Sequence, residues 1–163
     1  MTKKILSVLL IFAVCIFLAS CERENRLSFP EFTRILNEEF EEIAVSAEDA
    51  FFDDGEWFLF VSVAGEDDIL ITAKENAESR FIEAVSVSCL EMGNPGQIEA
   101  FIRMCEAAAA AFVFETDCTA LLEGVMLYKE NAVFSEDVYF YEEGRFFVSF
   151  FNDSTGSTLM IEI

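Results

Sequence analysis

Apolar and polar positions along this chain follow two periods, one near 3.6 residues and one of 2, and the periods succeed one another in blocks. Phe32, Ile35, Leu36, Phe40 and Ile43 keep helical spacing, and Glu38, Glu39, Glu41 and Glu42 fall largely on the solvent side. Ser28 and Glu31 stand at capping-box spacing just before them, and a proline at position 30 is tolerated in a first turn. Period two follows. Trp57, Leu59, Val61 and Val63 share one strand face, and Phe58 and Phe60 share the other. Gly65-Glu66-Asp67-Asp68 turns the chain into Ile69–Thr72, and Arg80–Leu90 carries Val85, Val87 and Cys89 in alternation with Ser86 and Ser88.

A second helical block opens at Asn94-Pro95-Gly96-Gln97, with Asn94 as cap, Pro95 in the first position and Gln97 at the capping-box position. Ile98, Phe101, Ile102, Cys105, Ala109 and Phe112 form its predicted buried stripe, and Ala107–Ala111 favours helix. Thr116-Asp117 caps a shorter helix bearing Leu121, Leu122, Val125 and Met126, where Gly124 costs roughly 1 kcal/mol relative to alanine. Strands return at Val138–Tyr141, Phe146–Phe151 and Thr158–Ile163. Runs of strands separated by runs of helices predict one α+β domain over 28–163, with an antiparallel sheet of about six or seven strands.

The tail echoes the opening strands. FFDDGEWFLFV at 51–61 aligns without gaps to FYEEGRFFVSF at 140–150, aromatic pairs against aromatic pairs and glycine against glycine. Each copy follows a helix and precedes another apolar strand. One reading is a helix-plus-meander unit used twice, in halves 28–90 and 94–163. The other is that acidic hairpins with a glycine turn resemble one another. The echo also bears on Asp53, Asp54 and Glu56, which correspond to Glu142, Glu143 and Arg145. An arginine in the set repels a cation, and calcium needs 6–8 oxygens from spaced ligands. A hairpin corner with positive φ at glycine is the reading these residues favour over a metal site.

The first 21 residues follow a different logic. Lys3 and Lys4 precede the apolar run Ile5–Leu18, which is short of the roughly 20 residues that span a bilayer. A basic start, an apolar middle and small residues at the end describe a secretory leader. Leu18-Ala19-Ser20-Cys21 resembles the lipobox of bacterial lipoproteins. That resemblance implies cleavage between Ser20 and Cys21, removing residues 1–20, and a diacylglyceryl thioether on the Cys21 sulfur. It covers the leader alone and implies nothing about the activity of the body. Two acyl chains anchor stably where one gives marginal binding. Residues 21–27 then form a short tether, on the order of 20 Å at about 3.3–3.6 Å per extended residue. The expected address is the outer side of the cytoplasmic membrane, at the cell surface or in the periplasm, with membrane lipid as the first partner.

Charge narrows the remaining partners. The chain holds 31 acids and 10 bases, and Lys3 and Lys4 leave with the leader, so 8 bases face the 31 acids. Nucleic acid is not the expected partner, because phosphates demand clustered Lys and Arg. Acidity favours a cationic partner or serves solubility in a chain with 19 phenylalanines. Cys89, Cys105 and Cys118 form no CxxC pair and sit in or beside apolar patterns, which predicts buried free thiols; one disulfide with a thiol left over is the alternative.

The chemistry available to such a body is thin. The chain has no histidine, which removes histidine-activated nucleophiles and histidine-bearing zinc sites. No GxGxxG or P-loop pattern follows a strand. Lys74 and Lys129 are the only lysines of the body, and neither lies near a serine suited to activation. A carboxylate pair for glycoside hydrolysis is always at hand in so acidic a chain and therefore signifies little. No catalytic residue, metal or cofactor is assigned. The more informative surplus is aromatic: Phe58, Phe60, Phe147 and Phe151 fall on the strand faces opposite the better-patterned core. Helices on both faces would make them ordinary core, whereas helices on one face would leave an aromatic interaction surface. The expectation is a non-catalytic binding or scaffold module held at the membrane, with a protein partner. The alternatives are a small-solute or saccharide binder and, behind it, a carboxylate hydrolase.

Overall fold

A computed structural model of the chain describes residues 27–39, 45, 47–63, 66–90, 95–113, 117–128, 138–153 and 156–163. The leader, Ser20, Cys21 and the tether up to residue 26 lie outside these, as do Phe40, Ile43, Asn94 and Thr116. Among the described residues the order is α1 (Phe29–Glu39), β1 (Phe51–Asp53), β2 (Glu56–Val63), β3 (Glu66–Glu75), β4 (Ile82–Leu90), α2 (Pro95–Phe112), α3 (Cys118–Gly124), β5 (Val138–Glu143), β6 (Phe146–Asp153) and β7 (Gly156–Glu162). The seven strands form one sheet in the order β1-β2-β3-β4-β7-β6-β5, with every neighbouring pair antiparallel. The α+β class and the antiparallel sheet are as the periodicities predict.

Period two sorts each strand into two faces. Leu59, Val61, Ile69, Ile71, Val85, Val87, Cys89, Val148, Phe150, Leu159 and Ile161 point to one face and are buried. The helices meet that face through aromatic contacts. Phe29 of α1 lies flat on Trp57 of β2, with ring centroids 4.6 Å apart. Phe101 and Phe112 of α2 contact Phe150 and Phe146 of β6. Asp117 caps α3 by accepting a hydrogen bond from the Thr119 amide at 3.0 Å. Gly124, near the end of α3, passes so close to the Tyr141 ring of β5 that a Cβ there would overlap it. The predicted weak point of α3 is therefore a fitted contact between helix and sheet.

Two helical expectations need widening or correction. α2 buries Ala100, Met104, Ala107, Ala108 and Ala111 beside the predicted Phe101, Cys105, Ala109 and Phe112, while Ile98 and Ile102 are half-buried. Such a helix lies between the sheet and its neighbouring helices, so most of its circumference is covered, which the small alanines permit. Met126, predicted as part of the α3 stripe, is exposed, because the chain turns after Val125 and Met126 has left the helix with a φ of 60°.

The echoing segments occupy the two edges of the sheet. Asp54 and Gly55 close β1–β2 with φ of 46° and 89°, the pair of positive values that a type I′ turn requires. Gly144, with φ 63°, opens the two-residue loop Gly144–Arg145 between β5 and β6. The loops differ by one position in the alignment, and the registers differ accordingly: Phe52 faces Trp57, but the aligned Tyr141 faces Val148 instead of Phe146. Both meanders run inward to β4 from opposite edges with the same strand directions and the same buried face. No rotation superposes such a pair, since the relation is that of a mirror.

Candidate functional site: the uncovered sheet face

Every helix of the described residues lies on one side of the sheet, and no described helix covers the other. Its side chains read off directly from strand register. One row runs Phe51, Phe58, Thr72, Ser86, Met160, Ser149, Phe140 across all seven strands. The next runs Phe60, Leu70, Ser88, Thr158, Phe151, Val138. Phenylalanines stand toward the edges of both rows, Val138 ends the second, and the middle mixes the hydroxyl residues Thr72, Ser86, Ser88, Ser149 and Thr158 with Leu70 and Met160.

The aromatics form two ridges. On β1–β2, Phe51 stacks on Phe58 at 4.9 Å and on Phe60 at 6.3 Å. On β5–β6, Phe140 stacks on Phe147 at 5.8 Å, with Phe151 on the same face. Phe60 and Phe140 are 58% and 62% exposed, against 0% for Phe150 on the helical side of the same sheet. Phe51 is also more than half exposed, whereas Phe147 and Phe151 lie near 38% and 37% and Phe58 is half-buried. Of the two sequence readings of Phe58, Phe60, Phe147 and Phe151, the described residues have helices on one face only.

Between the ridges Leu70 and Met160 stand among hydroxyl residues that are hydrogen-bonded in pairs. The hydroxyls of Thr72 and Ser86 are 2.7 Å apart, and those of Ser88 and Thr158 are 2.9 Å apart. Ser149, at the foot of the β5–β6 ridge, is 2% exposed, and its hydroxyl has no hydrogen-bond partner among the described residues. At the hairpin end a third row runs Asp53, Glu56, Lys74, Ala84, Glu162, Phe147, Glu142. It carries four carboxylates against one ammonium. Lys74 is engaged by Glu83 at 3.2 Å. Asn76 and Lys74, in that order, hold the Glu83 carboxyl below the usual carboxylate range by hydrogen bonding. The Asp53-Asp54-Glu56 corner is a hairpin whose acids form part of this rim. Among the described residues no group of three or more metal-ligating side chains is placed to hold an ion.

A second recess lies in the helical layer. A cavity of about 290 Å³ is lined by Glu39, Arg103, Glu106, Cys118, Thr119, Leu122 and Tyr128, with Ala107 and Ala110 beneath. The Tyr128 hydroxyl donates to Glu106 at 3.0 Å, and burial together with that carboxylate pushes its pKa up. Cys118 is half-buried here, and burial, then the Asp117 charge, raises its thiol pKa. Cys89 and Cys105 are buried free thiols; burial holds Cys105 well above the ordinary thiol range. Cys118, expected to be buried like the other two, is only half-buried because it lines this recess, whose remaining positions carry no motif, since a recess assembled from three helices leaves no local spacing to read. No helix of the described residues is long and apolar enough to cross a membrane. No protein-family model matches the chain, and no curated protein or solved structure does either.

Proposed function

We propose that this protein is a lipid-anchored, extracytoplasmic binding module without catalysis, and that the uncovered sheet face is where it binds. The exposed pair of phenylalanine ridges carries the reading. Two aromatic clusters left in water on an otherwise well-buried fold cost solvation unless a partner covers them. The leader and Leu18-Ala19-Ser20-Cys21 support the anchor, with the acylated Cys21 holding the body at the outer surface of the membrane. The Ile82 amide donates to the Leu27 carbonyl at 2.8 Å, so the chain joins the domain beside the start of β4. A tether of this length would keep the hairpin end of the sheet nearest the bilayer.

Photo-crosslinking in cells tests the reading. A benzophenone side chain replacing Phe60 or Phe147 should yield a discrete protein adduct, and one replacing Glu99, on the exposed side of α2, should not. Adducts of equal yield from all three positions, or from none, defeat the proposal. A second reading, capture of a small polar solute, is favoured by the recess that holds Glu39, Arg103 and Glu106. Ligand-dependent thermal stabilisation that disappears in Tyr128→Phe would support it over the first.

A further inference from the structure

Resting on the second of those readings, that of a captured solute, the geometry points to a small organic ammonium ion as the ligand of the helical recess: a primary amine carried on a short apolar body. The lining combines two chemistries. Ala107, Ala110 and Leu122 give it an apolar side, and Glu39, Arg103 and Glu106 give it charge. Ala107 and Leu122 are buried and Glu39 is exposed, so the recess is apolar at depth and charged toward solvent. Its volume of about 290 Å³ stands at the lower end of the roughly 300–1,000 Å³ of small-molecule sites, which keeps the apolar body short.

Charge sets the sign of the ligand. Two carboxylates meet one guanidinium in the lining. Arg103 stands one turn before Glu106 on α2, the spacing at which helix side chains are neighbours. Glu39 comes from α1, and among the described residues it has no ion-pair partner. The recess is therefore net negative, with the Glu39 carboxylate left to a cation. The two titrating groups inside it respond to that charge. Burial and then Asp117 raise the Cys118 thiol pKa, and Glu39 and Glu106 add to the rise. Burial and then Glu106 raise the Tyr128 hydroxyl.

The donor set selects the head group. Tyr128 donates to Glu106 at 3.0 Å and so orients that carboxylate at the recess. A primary ammonium has three N–H donors and can serve Glu39 and Glu106 together, whereas a quaternary ammonium has none. A bare metal ion would leave the apolar side empty, and among the described residues no cluster of ligands is placed for one. A carboxylic acid, or the carboxylate of an amino acid, is repelled by Glu39, and a neutral sugar gains nothing from its charge.

The test follows thermal unfolding of the acylated protein in nanodiscs of zwitterionic lipid, at constant ionic strength, with four solutes of matched chain: butylammonium, butyltrimethylammonium, butyrate and 2-aminobutyrate. Butylammonium should raise the melting temperature and bind about tenfold more tightly than the other three. Glu39→Gln should weaken that binding roughly fivefold, as expected for an exposed ion pair, and Glu78→Gln in the β3–β4 turn should leave it unchanged. Both substitutions keep the side-chain shape at exposed positions, and their unliganded melts control for folding. Equal binding of butyltrimethylammonium, or butylammonium binding that survives Glu39→Gln, overturns the inference. Stabilisation by butyrate or 2-aminobutyrate instead, abolished in Tyr128→Phe, refutes the amine and leaves the solute reading standing. No shift with any of the four refutes both and leaves the sheet face to its own crosslinking test.

Discussion

The indole N–H of Trp57 donates to Glu75 Oε2 at 2.8 Å, across neighbouring strands and beneath Phe29. The other oxygen of Glu75 meets Arg80 Nε at 2.6 Å. Glu75 is thus a charged residue inside the helical layer with both oxygens engaged. Its position follows from a bulge between Lys74 and Glu75 and from the turn that sets Arg80 at a φ of 62°.

Removing that carboxylate leaves a half-buried indole N–H without its acceptor. Glu75→Ala should destabilise the fold by about 1–3 kcal/mol. Glu75→Gln keeps an oxygen for the indole and loses mainly the exposed Arg80 partner, so its cost should be under about 1 kcal/mol. Trp57 is the chain's only tryptophan, and its fluorescence in urea titrations reports both variants directly. Equal losses in the two would assign the stability to the ion pair and not to the indole contact.

Gly124 sets two effects against each other. Helix propensity alone makes Gly124→Ala stabilising by about 1 kcal/mol. The Tyr141 ring occupies the space a Cβ needs, and overpacking costs about 1–3 kcal/mol. The contact is with the root of the ring, which cannot swing away as the tip of a long side chain can. Gly124→Ala should therefore lower stability, and Tyr141→Ala in the same chain should restore part of the loss. Thermal melts of the two singles and the double measure the coupling; additive changes would disprove the clash.

The sequence made some of this legible and hid the rest for identifiable reasons. Alternation at Val85–Cys89 and Leu59–Val61 placed the buried face, because a period of two is a property of the strand itself. Pro95 and Asp117 placed the helix starts through local caps. The openness of Phe60 and Phe140 was not readable, because it depends on which side the helices choose, a tertiary fact. The hydroxyl pairs between the ridges were visible only as polar alternation at Ser86 and Ser88 until strand order brought Thr72 and Thr158 beside them. The mirror relation of the two hairpins was hidden similarly, since an ungapped alignment carries no handedness.

The two faces of one strand should respond oppositely to the loss of a ring. Phe150 on β6 is fully buried against Phe101 and Tyr139. Phe150→Ala should cost about 3–5 kcal/mol. Phe140→Ser and Phe60→Ser remove rings that are more than half in water, and each should cost under about 1 kcal/mol while lowering binding of a hydrophobic dye. Large losses in the serine variants would mean that the rings are covered in the free protein.

Thiol chemistry separates Cys118 from its neighbours. Among Cys89, Cys105 and Cys118, an alkylating reagent under native conditions should modify Cys118 alone, because Cys89 and Cys105 are buried; denaturant should expose all three. The thiolate is the attacking form, and the Cys118 pKa lies above its ordinary value, first through burial and then through the Asp117 charge. At pH 8 its rate should accordingly fall below that of a solvated thiol, and the midpoint of its pH–rate curve should lie to the alkaline side. Asp117→Asn keeps a competent helix cap and removes the second cause, so the midpoint should move back toward acid and the rate at pH 8 should rise. A midpoint that does not move would assign the whole shift to burial in the recess beside Leu122 and Tyr128.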